Sequence, residues 1–357
     1  SQSKTIDFPM HDKNAVVAIV LPVSGPYGFA GESIQKSLQT GLKQAGFSGK
    51  LIALDLANYD SVFEAWEILK YYDPQFIFGP LQKDRISQWQ ALKTGVPTLY
   101  FNDITAYTQY EFSLSPSKQA GLEQVFQILN QSLYQRILVL KEPEETSQEL
   151  EQAFYQAWSN APQAKEYIAQ NIEKTVGQAI DNGLNINKSN DRKSWLQSVL
   201  HVPLEFTPRH RQDIEAIVSF LPQNLAIQVA PYINFVSSSK PITQVWYPSK
   251  TPSAYYLLNN LDAWQDTFAI LPASLANDIS KNNSKNPPSN NNGLFYALGR
   301  MAVEIVKSDH QSLQVDTLIE TAKGTYVRNA NGQFYLLPDV YWADNGVFEK
   351  LVSNSAE

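Results

Sequence analysis

The chain has no cysteine, and only two methionines and four histidines among its 357 residues. The first absence excludes disulfides, thiolate metal sites and cysteine nucleophiles, while leaving the compartment open, because an oxidising one does not require disulfides. No apolar run approaches the roughly 20 residues that a membrane-spanning helix needs. A basic stripe is missing too: 28 Lys and Arg stand against 35 Asp and Glu, a net charge of -7, so the electrostatic footprint of a nucleic-acid partner is not there. His11, His201, His210 and His310 are scattered, with no HExxH and no pair at metal-ligand spacing. Neither a GxSxG elbow nor a GxGxxG or GxxxxGK loop follows any predicted strand. The nearest look-alike is Gly25-Pro26-Tyr27-Gly28, where Pro26 removes a backbone donor that a phosphate nest would use. Acidic pairs such as Glu144-Glu145, or Asp12 with Asp55, have nothing in the sequence to place them across a cleft. The expectation is a protein without catalytic residues, metal or cofactor. The opening SQSKTIDFPMHDKN is polar and has no signal-peptide core, so the chain reads as cytoplasmic or as a processed or truncated product.

What is present is a folded composition, 43% hydrophobic and 12% aromatic with 18% charged, in a chain long enough for two lobes. The organising stretch runs from Ala15 to Gly46. Its unbroken apolar, β-branched run from Ala15 to Leu21 reads as a strand buried on both faces. A turn with Pro22, Ser24, Gly25, Pro26 and Gly28 follows. Next comes a helical pattern with Ile34, Leu38, Gly41 and Leu42 on one face and Glu32, Lys36, Gln39 and Lys43 on the other. The alternation continues with strands at 50–57, 75–78, 97–101 and 110–114, separated by helices at 61–72 and 82–94. It then repeats with helix 118–133, strand 136–140, helix 147–160, strands 167–169 and 214–221, helix 223–236 and strand 243–247. Such alternation implies an α/β protein with doubly wound, mainly parallel sheets. The repetition is architectural, not residue by residue.

Two stretches break the rhythm. Residues 281–292, KNNSKNPPSNNN, are low-complexity and polar, and are expected to be a flexible loop. The segment from Asn182 to Gln212 holds Arg192, Lys193, Arg209, His210 and Arg211, the most basic part of an acidic chain. It reads either as a solvated loop and short helix around Trp195 or as a partner-facing element, since charge runs are usually solvated and loops often carry function.

Polar or special residues stand where the strands should end: Ser24 and Tyr27, Asn58 and Tyr59, Gly79 and Pro80, Asn102 and Asp103, and in the second half Glu142, Leu221-Pro222 and Tyr247. Ligands of open parallel sheets bind outside these carboxyl ends. Turn chemistry explains the same residues equally well.

The stretch VAIVLPVSGPYGFAGESIQKSLQTGL, with Phe76-Ile77-Phe78-Gly79-Pro80-Leu81 and Pro97-Thr98-Leu99-Tyr100, resembles the type I periplasmic binding-protein fold. More narrowly, Arg209 to Ile217 and Gly324-Thr325 through Gly346-Val347-Phe348 are similar to the C-terminal domain of the LpoA family, outer-membrane lipoproteins that activate a bifunctional penicillin-binding protein. The resemblance implies two α/β lobes joined by three crossings around a cleft. Lobe one would take 14–124 and 247–308 after an N-terminal tail at 1–13, and lobe two 125–246 and 309–357, with 326–348 β-rich. Ser24, Tyr27, Asn58, Tyr59, Asn102, Asp103, Glu142 and Tyr247 would line the cleft. It further implies a non-enzymatic regulator of peptidoglycan synthesis on the periplasmic face of the outer membrane. The lipid anchor and a helical domain would lie upstream of Ser1, and Arg192, Lys193, Arg209 and Arg211 would contribute to the surface that meets the synthase. A solute receptor holding a small molecule or cell-wall fragment is the alternative. Against it, Gly79-Pro80 is followed by Leu81-Gln82, where such receptors usually carry a hydroxyl for a carboxylate.

Overall fold

The computed structural model describes residues 4–116, 118–185, 194–201, 203, 211–236, 240–272, 294–307, 317–321, 324–329 and 331–351. The chain forms two compact units, of 1–117 with 288–338 and of 118–271 with 339–357 as their main segments. Among the described residues it passes from the first unit to the second after Ser117, back after Leu271, and again after Pro338.

In the first unit the sheet order is β11-β12-β13-β5-β4-β3-β1-β2. The strands are β1 (Val16–Leu21), β2 (Lys50–Asp55), β3 (Phe76–Phe78), β4 (Thr98–Tyr100), β5 (Glu111–Pro116), β11 (Thr317–Thr321), β12 (Gly324–Arg328) and β13 (Gln333–Leu337). β2 through β5 and then β13 run parallel, and β12 and β11 extend the edge antiparallel. β1 is apolar throughout because it is covered twice. Val17, Ile19 and Leu21 enter one cluster with Ile34, Leu38 and Leu42 of α1 (Gly28–Gln44) and Met301, Ala302 and Ile305 of α11 (Leu294–Lys307). Ala18 and Val20 enter another with Val62, Ala65 and Leu69 of α2 (Val62–Tyr71) and Trp89 of α3 (Lys83–Leu92). Helices on both faces are what a parallel sheet requires.

The second unit repeats the scheme. Its order is β15-β14-β10-β9-β8-β6-β7, from β6 (Arg136–Lys141), β7 (Glu166–Asn171), β8 (Ala216–Phe220), β9 (Thr243–Trp246), β10 (Thr267–Leu271), β14 (Asp339–Asp344) and β15 (Val347–Lys350). Its helices include α4 (Lys118–Gln131), α5 (Glu145–Ser159), α6 (Val176–Gly183), α7 (194–200), α8 (Gln223–Ala226), α9 (Val229–Val236) and α10 (Ala254–Asn259). β2-β1-β3-β4-β5 and β7-β6-β8-β9-β10 are the same doubly wound order twice, each with its switch point beside the first strand.

The unit boundaries fall elsewhere than the sequence reading puts them. β10 pairs parallel with β9 and antiparallel with β14, which holds 247–271 in the second unit. β12 and β13 join β5 in the first, which moves the boundary from 309 to 338. The 223–236 helix is two, α8 and α9, separated by a turn at 227–228. α6 was not anticipated: eight residues with Val176, Ala179 and Ile180 buried, capped by Thr175. The 281–292 stretch lies outside the described residues.

The described part of the N-terminal segment is not a free tail. Phe8 packs against Phe76, Phe78 and Phe47 with ring centroids 5.1, 5.9 and 5.8 Å away, and Met10 is buried. The Lys4 ammonium bonds the carbonyls of Glu111 and Asn331 and sits over the Phe112 ring at 4.6 Å. Burial pulls it down to about 8, with the Glu111 carboxylate working the other way. We expect Phe8→Ala to destabilise the protein by about 2–3 kcal/mol, because it removes an aromatic contact set at a partly buried site. A lower urea midpoint at unchanged slope would show it.

Asp339 opens β14 at 7% exposure, opposite Leu271, with Lys350 Nζ at 3.6 Å and half exposed. Burial pushes its carboxyl up to about 6, Lys350 pulling against it. A folded-state pKa above the unfolded value favours the protonated form. The stability it contributes is therefore complete below about pH 4 and is lost as pH rises through about 6. Asp339→Asn should raise stability by about 2–3 kcal/mol near neutral pH and flatten the profile from about pH 4 to 7, read as urea midpoints across that range.

Candidate functional site

The carboxyl ends of the parallel strands are where both units gather polar side chains. In the first unit the turn after β1 is tied to the end of β2 by one carboxylate. Asp55 accepts hydrogen bonds from the backbone N–H of Val23 and Ala57, both at 3.0 Å, and from the Ser24 hydroxyl at 2.5 Å. Partial burial works to raise its pKa, but these donors outweigh it and hold the carboxyl below the usual aspartate value. The next two strand ends are closed the same way. Asn102 donates to the Leu81 carbonyl at 3.1 Å and accepts from the Asp103 N–H at 3.0 Å. Asp103 accepts from the Ser115 hydroxyl at 2.6 Å and the Gln333 amide at 3.3 Å.

Two glycines set how closely these turns approach. A Cβ on Gly31 would stand 1.7 Å from the Pro22 carbonyl oxygen, so α1 lies against the β1 turn only with glycine there. Gly79, at φ 103°, would place a Cβ 2.1 Å from the Val20 carbonyl oxygen. It precedes Pro80 through a cis peptide bond. The switch point between β1 and β3 is thus closed by main chain. Tyr27 stands 54% exposed at the start of α1. Asn58 ends a short 3₁₀ turn and is exposed, while Tyr59 packs on the second core cluster and lends its carbonyl to Arg85 at 2.8 Å.

The second unit's switch point differs. Ser147, fully buried on α5, donates to the Phe220 carbonyl at 2.6 Å and accepts from the Glu142 N–H at 3.0 Å, bridging the ends of β6 and β8. The Glu142 side chain points inward with Oε1 buried and without a hydrogen-bond partner among the described residues. Burial and then Glu144 raise its pKa, while Lys250 lowers it. Lys250 itself pairs with Glu144 at 2.9 Å. Ser249, after β9, is 7% exposed; its N–H reaches the Leu221 carbonyl at 3.3 Å, and its hydroxyl has no partner among the described residues. Buried unpaired polar atoms are rare enough to need a reason. Tyr247 is largely enclosed, and burial pushes its phenol up to about 12.

Of the basic residues singled out from the sequence, Arg192, Lys193 and Arg209 lie outside the described residues. Arg211 is engaged within the second unit: its guanidinium forks onto Glu166 and onto Asp213, the latter at 2.7 Å, at the amino ends of β6 and β7. The Asp213 pairing is one that the adjacent acidic residues suggest; the Glu166 contact joins residues 45 apart. Sequence reasoning named Asp55 only in an acidic pair that it set aside, and missed Ser147 and Ser249. Asp55 had a signal, a carboxylate ending an apolar strand just before a turn; Ser147 and Ser249 had none, since a serine near a helix start or after a proline is ordinary. No group of three or more potential metal ligands occurs among the described residues, and no described helix is long and apolar enough to cross a membrane.

Comparison with known proteins agrees with this architecture. The model of the LppC putative lipoprotein family matches residues 7–300. A curated protein named penicillin-binding protein activator LpoA, from Photobacterium profundum, is 23% identical over 315 residues, 84% of this chain and 51% of that protein. The chain spans about half or less of the length of the curated relatives it matches. Among solved structures, the LpoA (YraM) C-domain from Haemophilus influenzae, described as a regulator of PBP1A, superimposes with a TM-score of 0.66 at 13% identity, covering 95% of this chain and 100% of that one. A putative branched-chain amino acid ABC transporter from Chromobacterium violaceum gives 0.57 at 17% identity, over 92% and 99%. The fold is that of a C-terminal LpoA-like domain with periplasmic binding-protein relatives, and the chain belongs to the LppC lipoprotein family.

Proposed function

We propose that this chain is a non-enzymatic regulator of peptidoglycan synthesis that binds a bifunctional penicillin-binding protein and raises its activity. It would work at the periplasmic face of the outer membrane, to which a lipid anchor outside this sequence would hold it. The family and the names of its relatives supply the class. The observation that carries the choice is the first unit's closed switch point: Asp55 holds three donors and Asn102 and Asp103 are bonded to neighbouring loops. The polar groups a solute receptor would turn toward its ligand are there engaged with the protein itself. Regulation by surface contact needs no such groups. Arg192, Lys193 and Arg209 remain proposed contributors to that contact, whereas Arg211 serves the second unit's own sheet edge.

A second reading rests on the second unit. Glu142 Oε1 and Ser249 Oγ, unpartnered among the described residues, flank the end of β8 and suit a small ligand with hydrogen-bond donors, such as a cell-wall fragment. Under it, soluble muropeptides should raise the melting temperature, and Glu142→Ala should abolish the rise. No shift at millimolar muropeptide would remove this reading.

The first reading is checked by the glycan-polymerising and cross-linking rates of the purified synthase with and without saturating amounts of this chain. Stimulation of either rate is the expected result. Absence of both stimulation and binding, with a folded chain, would sink the proposal.

A further inference from the structure

The outer face of α2 exposes large apolar side chains interleaved with acidic ones. Its inward positions, Val62, Ala65 and Leu69, are buried in the second core cluster. At 100° per residue the opposite arc carries Phe63, Glu64, Glu67, Ile68 and Tyr71. Phe63 is 55% exposed, Ile68 42% and Tyr71 86%. Phe63 and Tyr71 lie two helical turns apart on one side of the helix, about 12 Å along its axis. An amphipathic helix on a soluble protein ordinarily turns polar residues outward, and here three large apolar side chains are there instead. The position cannot be explained by core demand, because the helix already buries its own apolar stripe. Between them stand Glu64 and Glu67, and the exposed Asp60 and Asp73 flank the helix; the only cation in 60–73 is Lys70, paired to Glu67 at 3.3 Å.

Resting on the reading that this chain contacts a penicillin-binding protein, we infer that the outer face of α2 is a docking surface for that synthase, and that the segment it receives is basic and apolar. Charge supports this choice of occupant: residues 60–73 carry three net negative charges, and with Lys50 over the Tyr72 ring and Arg85 on the Asp60 carbonyl counted at the margin the balance of these groups is still negative, which complements Lys or Arg interleaved with apolar residues. The same charge opposes an anionic lipid surface. Aromatic anchors ringed by charge are the composition of binding hot spots, with the rings carrying affinity and the charges steering approach. The α2 face is built on a rigid helix over a closed core, so it needs no rearrangement to present these groups.

The test compares binding of the purified synthase to the full 357-residue chain and to two double variants, Phe63→Ser with Tyr71→Ser and Glu64→Lys with Glu67→Lys. Leu133→Ser with Phe235→Ser, which alters exposed apolar residues of the second unit, serves as the control. Circular dichroism melts establish that each variant is folded. The apolar pair should weaken binding at least about 10-fold, the charge pair should weaken it and remove its dependence on salt, and the control should bind as the parent does. Parent-like affinity in both α2 variants would overturn the docking surface while leaving the regulatory reading intact. Failure of the unaltered chain to bind would overturn both.

Discussion

The parallel pairing of β1 with β2 on one side and β3 on the other is the constraint on which the first unit depends. A strand paired on both edges and covered on both faces has no solvent-facing position, so all six residues of β1 are apolar and five are fully buried. Everything around it is then placed by packing. α1 and α11 lie over Val17, Ile19 and Leu21, and α2 and α3 over Ala18 and Val20. The second unit obeys the same rule with β6 between β7 and β8.

A parallel sheet has a chemical consequence at its carboxyl edge. The loops that leave each strand must satisfy their own backbone groups while reversing into a helix. In the first unit side chains meet that requirement: Asp55 serves two N–H groups and a hydroxyl, and Asn102 serves a carbonyl and an N–H. In the second unit Ser147 does the bridging, and the Glu142 Oε1 and the Ser249 hydroxyl are buried without a hydrogen-bond partner among the described residues. Two copies of one topology thus differ in how their polar edge is used. The fold alone implies neither transport nor regulation.

The α/β class, the doubly wound order and most element positions were legible in the sequence, because apolar runs of strand length alternate with helical periodicity. The β-rich C-terminal stretch at 326–348 was expected from the family resemblance, and β12 to β15 occupy it. Membership of sheets was not: nothing local distinguishes Phe268-Ala269-Ile270-Leu271 as a strand of one unit from a strand of the other, and the assignment follows from its partners β9 and β14. Asn58, Asn102 and Asp103 were found because strand ends concentrate Asn and Asp, yet whether such residues face a ligand or bond their own turns depends on neighbours far away in sequence, as Gln333 is from Asp103.

By itself the sequence determined the period of each segment, the apolar faces, the absence of thiol, histidine-metal and nucleophile-elbow chemistry, and the residues available at each turn. These are local or compositional properties, set by side-chain chemistry and spacing within a few residues. The tertiary structure decided which strands pair, where one unit yields to the other, which carboxylates are engaged by donors and which are buried unpaired, and which aromatic rings remain on the outside of α2. Those are properties of burial and of contacts between distant residues, and no window of sequence contains them.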